Sequence, residues 1–231
     1  MQRPLHIGII ASSGGAAPIT AYEIFNAVYP DQLRYTVVTD RHCGIESYCE
    51  THNIPHRRIE NASREGLSLA IAQFYSSLDV DCLLMFFLRI ITESLFTHLP
   101  TLNIHPAKLP DFKGMHAVQQ AINSKADVLG ATLHCVDAQM DGGPIVAQTW
   151  QAMPLENDAE SLSFCQKVYL TLALYSSLQR GAVIFNPTPT GYDWEGCCSL
   201  EDSELEAAFK EKLTSLGYSG WFQNDAPQLS K

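Results

Sequence analysis

The chain has 231 residues, 46% of them hydrophobic and 17% charged, with a formal net charge of −10. That composition belongs to a globular domain with ample core material, not to a disordered or fibrous chain. The excess of acid argues against broad binding of nucleic acid or of anionic membranes, which calls for a basic surface. It leaves room for a small basic pocket. No apolar run approaches the ~20 residues of a membrane helix, and Ile7 to Ala11 is too short for the core of a signal peptide. Seven cysteines, without a Cys-x-x-Cys pair and with Cys197 beside Cys198, suit neither a disulfide frame nor a metal cage. The histidines also lack ligand spacing, so the expectation is a cytoplasmic protein without a metal.

The first half alternates strand and helix signals, the pattern of an α/β sheet with mainly parallel strands. His6 to Ser12 reads as a buried strand, and Ile19 to Val28 as a helix with Pro18 in its first turn. Between them lies Ser12-Ser13-Gly14-Gly15. Such a loop can offer backbone amides and a helix N-terminus to an anion, although a Gly-Gly pair serves equally well as a plain turn. The G-x-G-x-x-G spacing fails after Gly15, which argues against dinucleotide binding. Arg34 to Asp40 is a second strand. A helix over Ile45 to His52 is closed by Asn53-Ile54-Pro55. Ser63 to Leu78 forms a third helix with Ser63 as its N-cap and Glu65 in its first turn. Asp81 to Ile91 then opens as a continuous apolar run, as a central parallel strand does.

The second half carries the chemistry. Asn103 and His105 stand two apart in a short strand, so both leave the same face, and Pro106 and Pro110 end that strand. A helix is predicted over Lys113 to Ser124, with His116 inside it. Strands follow at Ala131 to Val136 and Pro144 to Ala152. The Asp-Gly-Gly-Pro turn between them can return Asp141 toward Asn103 and His105, with Asp137 as the competing carboxylate. Thr132 and His134 share one strand face. They fit a layer behind the reacting groups or ordinary buried polar positions equally well. Asp158 to Gln179 reads as a long helix burying Leu162, Cys165, Val168, Leu172 and Tyr175, ended by Gly181. Past Pro187, Ser199 and Asp202 suggest a capping box. Leu205, Phe209, Leu213 and Leu216 then share a helical face, and Gly217 closes the helix. Packing on the core is one use of that face; a homodimer contact or a lid over an acceptor site is the other.

Three blocks, Phe87 to Ile91 (FLRII), Leu102 to Gln120 and Gly130 to Gln148, occur in the order found in the folate-dependent formyltransferase family, which the chain resembles from about residue 5 to about residue 186. In length and layout it is most similar to the glycinamide ribonucleotide (GAR) transformylase branch. The resemblance implies a Rossmann-like formyltransferase fold over residues 1–186, with a mainly parallel twisted sheet flanked by helices. Residues 1–100 would hold the acceptor and its phosphate, and residues 101–186 the catalytic groups and the folate. Residues 187–231 would be a C-terminal helical extension.

The same resemblance implies 10-formyltetrahydrofolate as co-substrate and a small amine acceptor, phosphorylated in the GAR branch. Asn103 and a protonated His105 would stabilise the oxyanion of the tetrahedral species, and Asp141 would brace the imidazole. Arg89, Ile90, Ile91, Val136, Ala138 and Met140 would wall the pterin. Ser13, Gly14 and Gly15 would hold the acceptor phosphate, with Pro106 and Thr132 on the acceptor side.

Three departures concern the acceptor. The loop reads SSGGAAP where GAR transformylases carry a Gly-Asn-Gly-Ser-Asn type segment. Met85 and Phe86 stand where small residues are usual. The long helix offers Thr171 where the family places an acidic contact. These leave an amino sugar nucleotide, or a siderophore hydroxylamine such as hydroxyornithine, as competing acceptors. Water as acceptor would make a 10-formyltetrahydrofolate hydrolase. Hydrolases of this kind carry an N-terminal regulatory domain, for which the residues before His6 leave no room.

Overall fold

The computed structural model of the chain describes residues 3–155 and 158–218. Seven strands form one sheet in the order β3-β2-β1-β4-β5-β6-β7. These strands are β1 (Leu5–Ala11), β2 (Leu33–Thr39), β3 (His56–Arg58), β4 (Cys82–Phe86), β5 (Thr101–His105), β6 (Val128–Cys135) and β7 (Ile145–Ala152). The first five run parallel, and β6 and β7 reverse direction. Helices cover both faces: α1 (Ala16–Val28), α2 (Gly44–Thr51), α3 (Arg64–Ser76), α4 (Glu93–Phe96), α5 (Ala117–Asn123), α6 (Ala159–Gln179) and α7 (Ser203–Ser215).

Burial on both faces explains the nearly unbroken apolar strands. Ile7, Ile9, Leu84 and Leu102 point to the layer built by α1, α2, α5, α6 and α7. Ile10, Val38, Leu83 and Met85 point to α3 and α4. The chain winds outward from β1 to β2 and β3, then returns to place β4 on the other side of β1. Loops leaving the carboxyl ends of β1 and β4 therefore diverge, opening the crevice where such sheets bind ligands.

The C-terminal region completes the core. A hairpin of β8 (Val183–Thr188) and β9 (Gly191–Gly196) runs through Pro187, and α7 buries Leu205, Phe209 and Leu213. Leu216, expected on that buried face, is 46% exposed because the helix has ended before it. The cap also differs from the predicted one. Asp202 itself is the N-cap, accepting from the backbone N–H of Glu204 and Leu205 at 3.0 Å each. Ser199 instead accepts and donates around Ser177 and Glu201. Lys212 pairs with Glu23 of α1 at 2.9 Å, and Tyr169 of α6 packs on Phe209. No helix among the described residues is long and apolar enough to cross a membrane.

Candidate active site

A cavity of about 930 Å3 opens at the switch point. Its walls come from the loops after β1 and β4, the end of β5, the segment before α5, the turn between β6 and β7, and α6. The size suits a small-molecule ligand.

Asn103 and His105 both reach this cavity from the end of β5. The antiparallel pairing of β5 with β6 sets Asn103 opposite His134 and His105 opposite Thr132. Side chains directly opposite on a sheet interact, and Asn103 Nδ2 donates to His134 Nε2 at 3.3 Å. The other ring nitrogen of His134 donates to the Cys135 carbonyl at 2.9 Å. His134 thus fixes the carboxamide's orientation while one Nδ2 proton of Asn103 stays available to a ligand.

Asp141 closes the cluster. Its Oδ2 lies 3.4 Å from His105 Nδ1 and its Oδ1 lies 3.7 Å from His134 Nε2. The Gly114 N–H donates to Oδ2 at 2.8 Å. His105 Nε2 donates to the Phe112 carbonyl at 2.8 Å, so Nδ1 is the nitrogen left for proton traffic beside the carboxylate. Burial pushes the His105 pKa below the usual imidazole value, against the Phe112 carbonyl and Asp141, which raise it. Burial would push the Asp141 carboxyl up, but His134, the Gly114 N–H and His105 outweigh it, and the net shift is downward. The empty site therefore favours a neutral ring and a charged carboxylate. Asp137, the competing carboxylate, also borders the cavity, but its Oδ1 accepts from Gln139 N at 2.7 Å.

The Gly114 contact explains why α5 begins at Ala117 and not at Lys113. Gly114 and His116 hold left-handed backbone at φ 85° and 61°, and the first turn predicted there is spent on Asp141. His116 is accordingly the N-cap residue and lines the cavity.

Arg89, Ile90, Ile91, Val136, Ala138 and Met140 all border the cavity, as do Ser13, Gly15 and Pro106. Arg89 is anchored by a 2.8 Å bond from its guanidinium to the Ala62 carbonyl. Leu88, Ile90, Met115 and Met140 form an apolar rim, each between 49% and 62% exposed. Met85 and Phe86, the bulky departures, also face the cavity.

Gly14 and Thr132 lie off its wall. Thr132 is fully buried; its hydroxyl donates to the Ala107 carbonyl and accepts from Leu109 N and Gln148 Nε2. It pins the turn after His105. The Thr132→Val variant leaves those partners unpaired and is expected to lose about 1–3 kcal/mol of stability. Urea unfolding checks this, and an unchanged midpoint would remove Thr132 from that role.

Thr171 is likewise turned away, donating to the Lys167 carbonyl within α6. The polar side chain that α6 does present to the cavity is Lys167, four residues earlier, beside Phe164. Helical periodicity gives the two faces of α6, but not which polar position meets the crevice.

A doubly wound sheet with a carboxamide, two imidazoles and a carboxylate gathered in a switch-point cavity defines an α/β enzyme acting on small molecules. Residues 33–167 match the family model described as formyl transferase. The chain belongs to that family and is a formyltransferase. It is 29% identical over 199 residues to the phosphoribosylglycinamide formyltransferase of Mycobacterium tuberculosis, covering 81% of this chain and 91% of the relative. Among solved structures it resembles glycinamide ribonucleotide transformylase 1 of Symbiobacterium toebii, with TM-score 0.72 and 21% identity over 83% of this chain and 95% of that one. It is also similar to phosphoribosylglycinamide formyltransferase of Bacillus halodurans, with TM-score 0.67 and 25% identity over 76% and 96%.

Proposed function

We propose that this chain transfers the formyl group of 10-formyltetrahydrofolate to the primary amine of glycinamide ribonucleotide. The observation that carries the reading is the meeting of Asn103, His105 and Asp141 at one end of the cavity. The similarity to phosphoribosylglycinamide formyltransferases supports the choice of acceptor.

In this scheme the pterin lies between Ile90, Ile91 and the Val136–Asp141 segment, with Arg89 beside it. The acceptor enters past Ser13, Gly15 and Pro106. The amine lone pair attacks the formyl carbon, and the carbonyl π pair moves to oxygen. The free Nδ2 proton of Asn103 donates to that oxygen. Negative charge developing beside His105 raises its proton affinity, and the imidazolium then donates to the oxyanion, braced by Asp141 and the Phe112 carbonyl. A water held by Asp141 carries the proton from the attacking amine to the leaving folate nitrogen. The products are the formamide and tetrahydrofolate.

The test is release of tetrahydrofolate from 10-formyltetrahydrofolate, with and without an amine panel. Turnover that depends on glycinamide ribonucleotide is expected. Turnover only with an amino sugar nucleotide or hydroxyornithine would move the acceptor, and formate release without any amine would make the chain a hydrolase.

A further inference from the structure

The scheme above leaves one charged group of the cavity unused, Lys167. It shares the space with Ser13, Gly15 and the first turn of α1. Among the described residues its ammonium has no carboxylate partner within ion-pair distance. Burial pushes its pKa below the usual lysine value, partly offset by Glu160. A cation withdrawn from water without a counter-ion is costly, and a bound anion would relieve that cost.

The end of α1 facing the same space is an incomplete anion cradle. Pro18, the third helical residue, has no N–H, and Gly15 supplies no capping side chain. The N–H groups of Ala16 and Ala17 donate to no described residue. Two free amides and a helix dipole of about half a charge fall short of balancing a dianion. One lysine ammonium on the same space makes up most of the difference, and the apolar SSGGAAP loop contributes little else.

We infer that Lys167 determines acceptor specificity, holding a phosphomonoester of the formyl acceptor against the first turn of α1. The inference rests on the formyl-transfer reading for the word acceptor and adds the anionic group and the residue that selects it.

The experiment compares wild type, Lys167→Met and Lys167→Arg by calorimetric titration with ribose 5-phosphate, ribose and ribonate. Ribose 5-phosphate is expected to bind wild type, to weaken at least ~10-fold in the Met variant and to be largely restored in the Arg variant. Ribose should bind none of them. Equal binding of ribose 5-phosphate by wild type and Met variant, or no binding by wild type, overturns the inference. Ribonate binding more tightly than ribose 5-phosphate overturns it in favour of a carboxylate. With glycinamide ribonucleotide as acceptor, the Met variant should raise the acceptor KM at least ~10-fold and leave the KM of the formyl donor unchanged. If no transfer occurs but the Lys167-dependent phosphate binding does, the function proposed above fails and the phosphate site stands. If transfer occurs with an unaltered acceptor KM in the Met variant, the reverse holds.

Discussion

His105→Ala and Asn103→Ala are each expected to lower turnover at least ~100-fold, with folate binding retained. Each removes one donor to the developing oxyanion, a loss of about 3–4 kcal/mol of transition-state stabilisation. The structure separates the two. Without Asn103 the ring of His134 loses the amide that reaches it at 3.3 Å, but His105 and Asp141 keep their own partners. Without His105 the Phe112 carbonyl and Asp141 Oδ2 both lose an imidazole neighbour. Asp141→Asn retains an acceptor for the Gly114 N–H while removing the charge that braces the imidazolium, and a fall of similar size is expected. Single-turnover formyl transfer with a parallel measurement of folate affinity decides the matter. Activity within several-fold of wild type in any of the three would remove that residue from the mechanism.

Gly143→Ala, although it touches no reacting group, is expected to cost comparable activity together with stability. A Cβ at Gly143 would lie 2.0 Å from the Cys135 carbonyl oxygen. That is far inside contact distance, so the turn between β6 and β7 must move. The clash sits where the pairing of β6 and β7 shifts register between Leu133 and His134, and where Cys135 N donates to the Pro144 carbonyl at 2.9 Å. Overpacking of this kind costs about 1–3 kcal/mol. Asp141 is two residues away, and a displacement of ~1 Å at a positioned group can cost ~100-fold in rate. Denaturant unfolding and turnover should fall together. A Gly143→Ala protein with wild-type stability and rate would mean that the turn yields freely and does not fix Asp141.

How far the sequence could be read depends on which forces were local. The helices α1, α3 and α6 were legible because each buries a periodic apolar face, and Ser63 caps α3 through a 3.0 Å bond from Gly66 N as predicted. The apolar run from Asp81 announced β4 but not its end. The strand stops at Phe86, where the chain leaves the sheet to wall the cavity. The β8–β9 hairpin escaped notice because Pro187 and Pro189 argue against strand, yet both lie in a small two-stranded sheet or its turn. The late start of α5 was invisible because its cause is Asp141, 27 residues beyond Gly114. The pairing of Asp141 with His105 came from family resemblance, since nothing in the spacing brings those two groups together. Thr132 and Lys167 have destinations set by strand pairing and by the placement of α6, neither of which periodicity encodes.

The apolar rim of Leu88, Ile90, Met115 and Met140 has a consequence for how a ligand is received. Asn103, His105 and His134 are mounted on paired strands in the middle of the sheet, whereas the rim residues belong to connecting segments outside any strand. The reacting groups are therefore prefabricated, and only the margin has freedom to adapt. A flat heterocycle arriving there would tuck these four side chains over itself, so that the guest supplies the roof which keeps bulk solvent away from the transfer step.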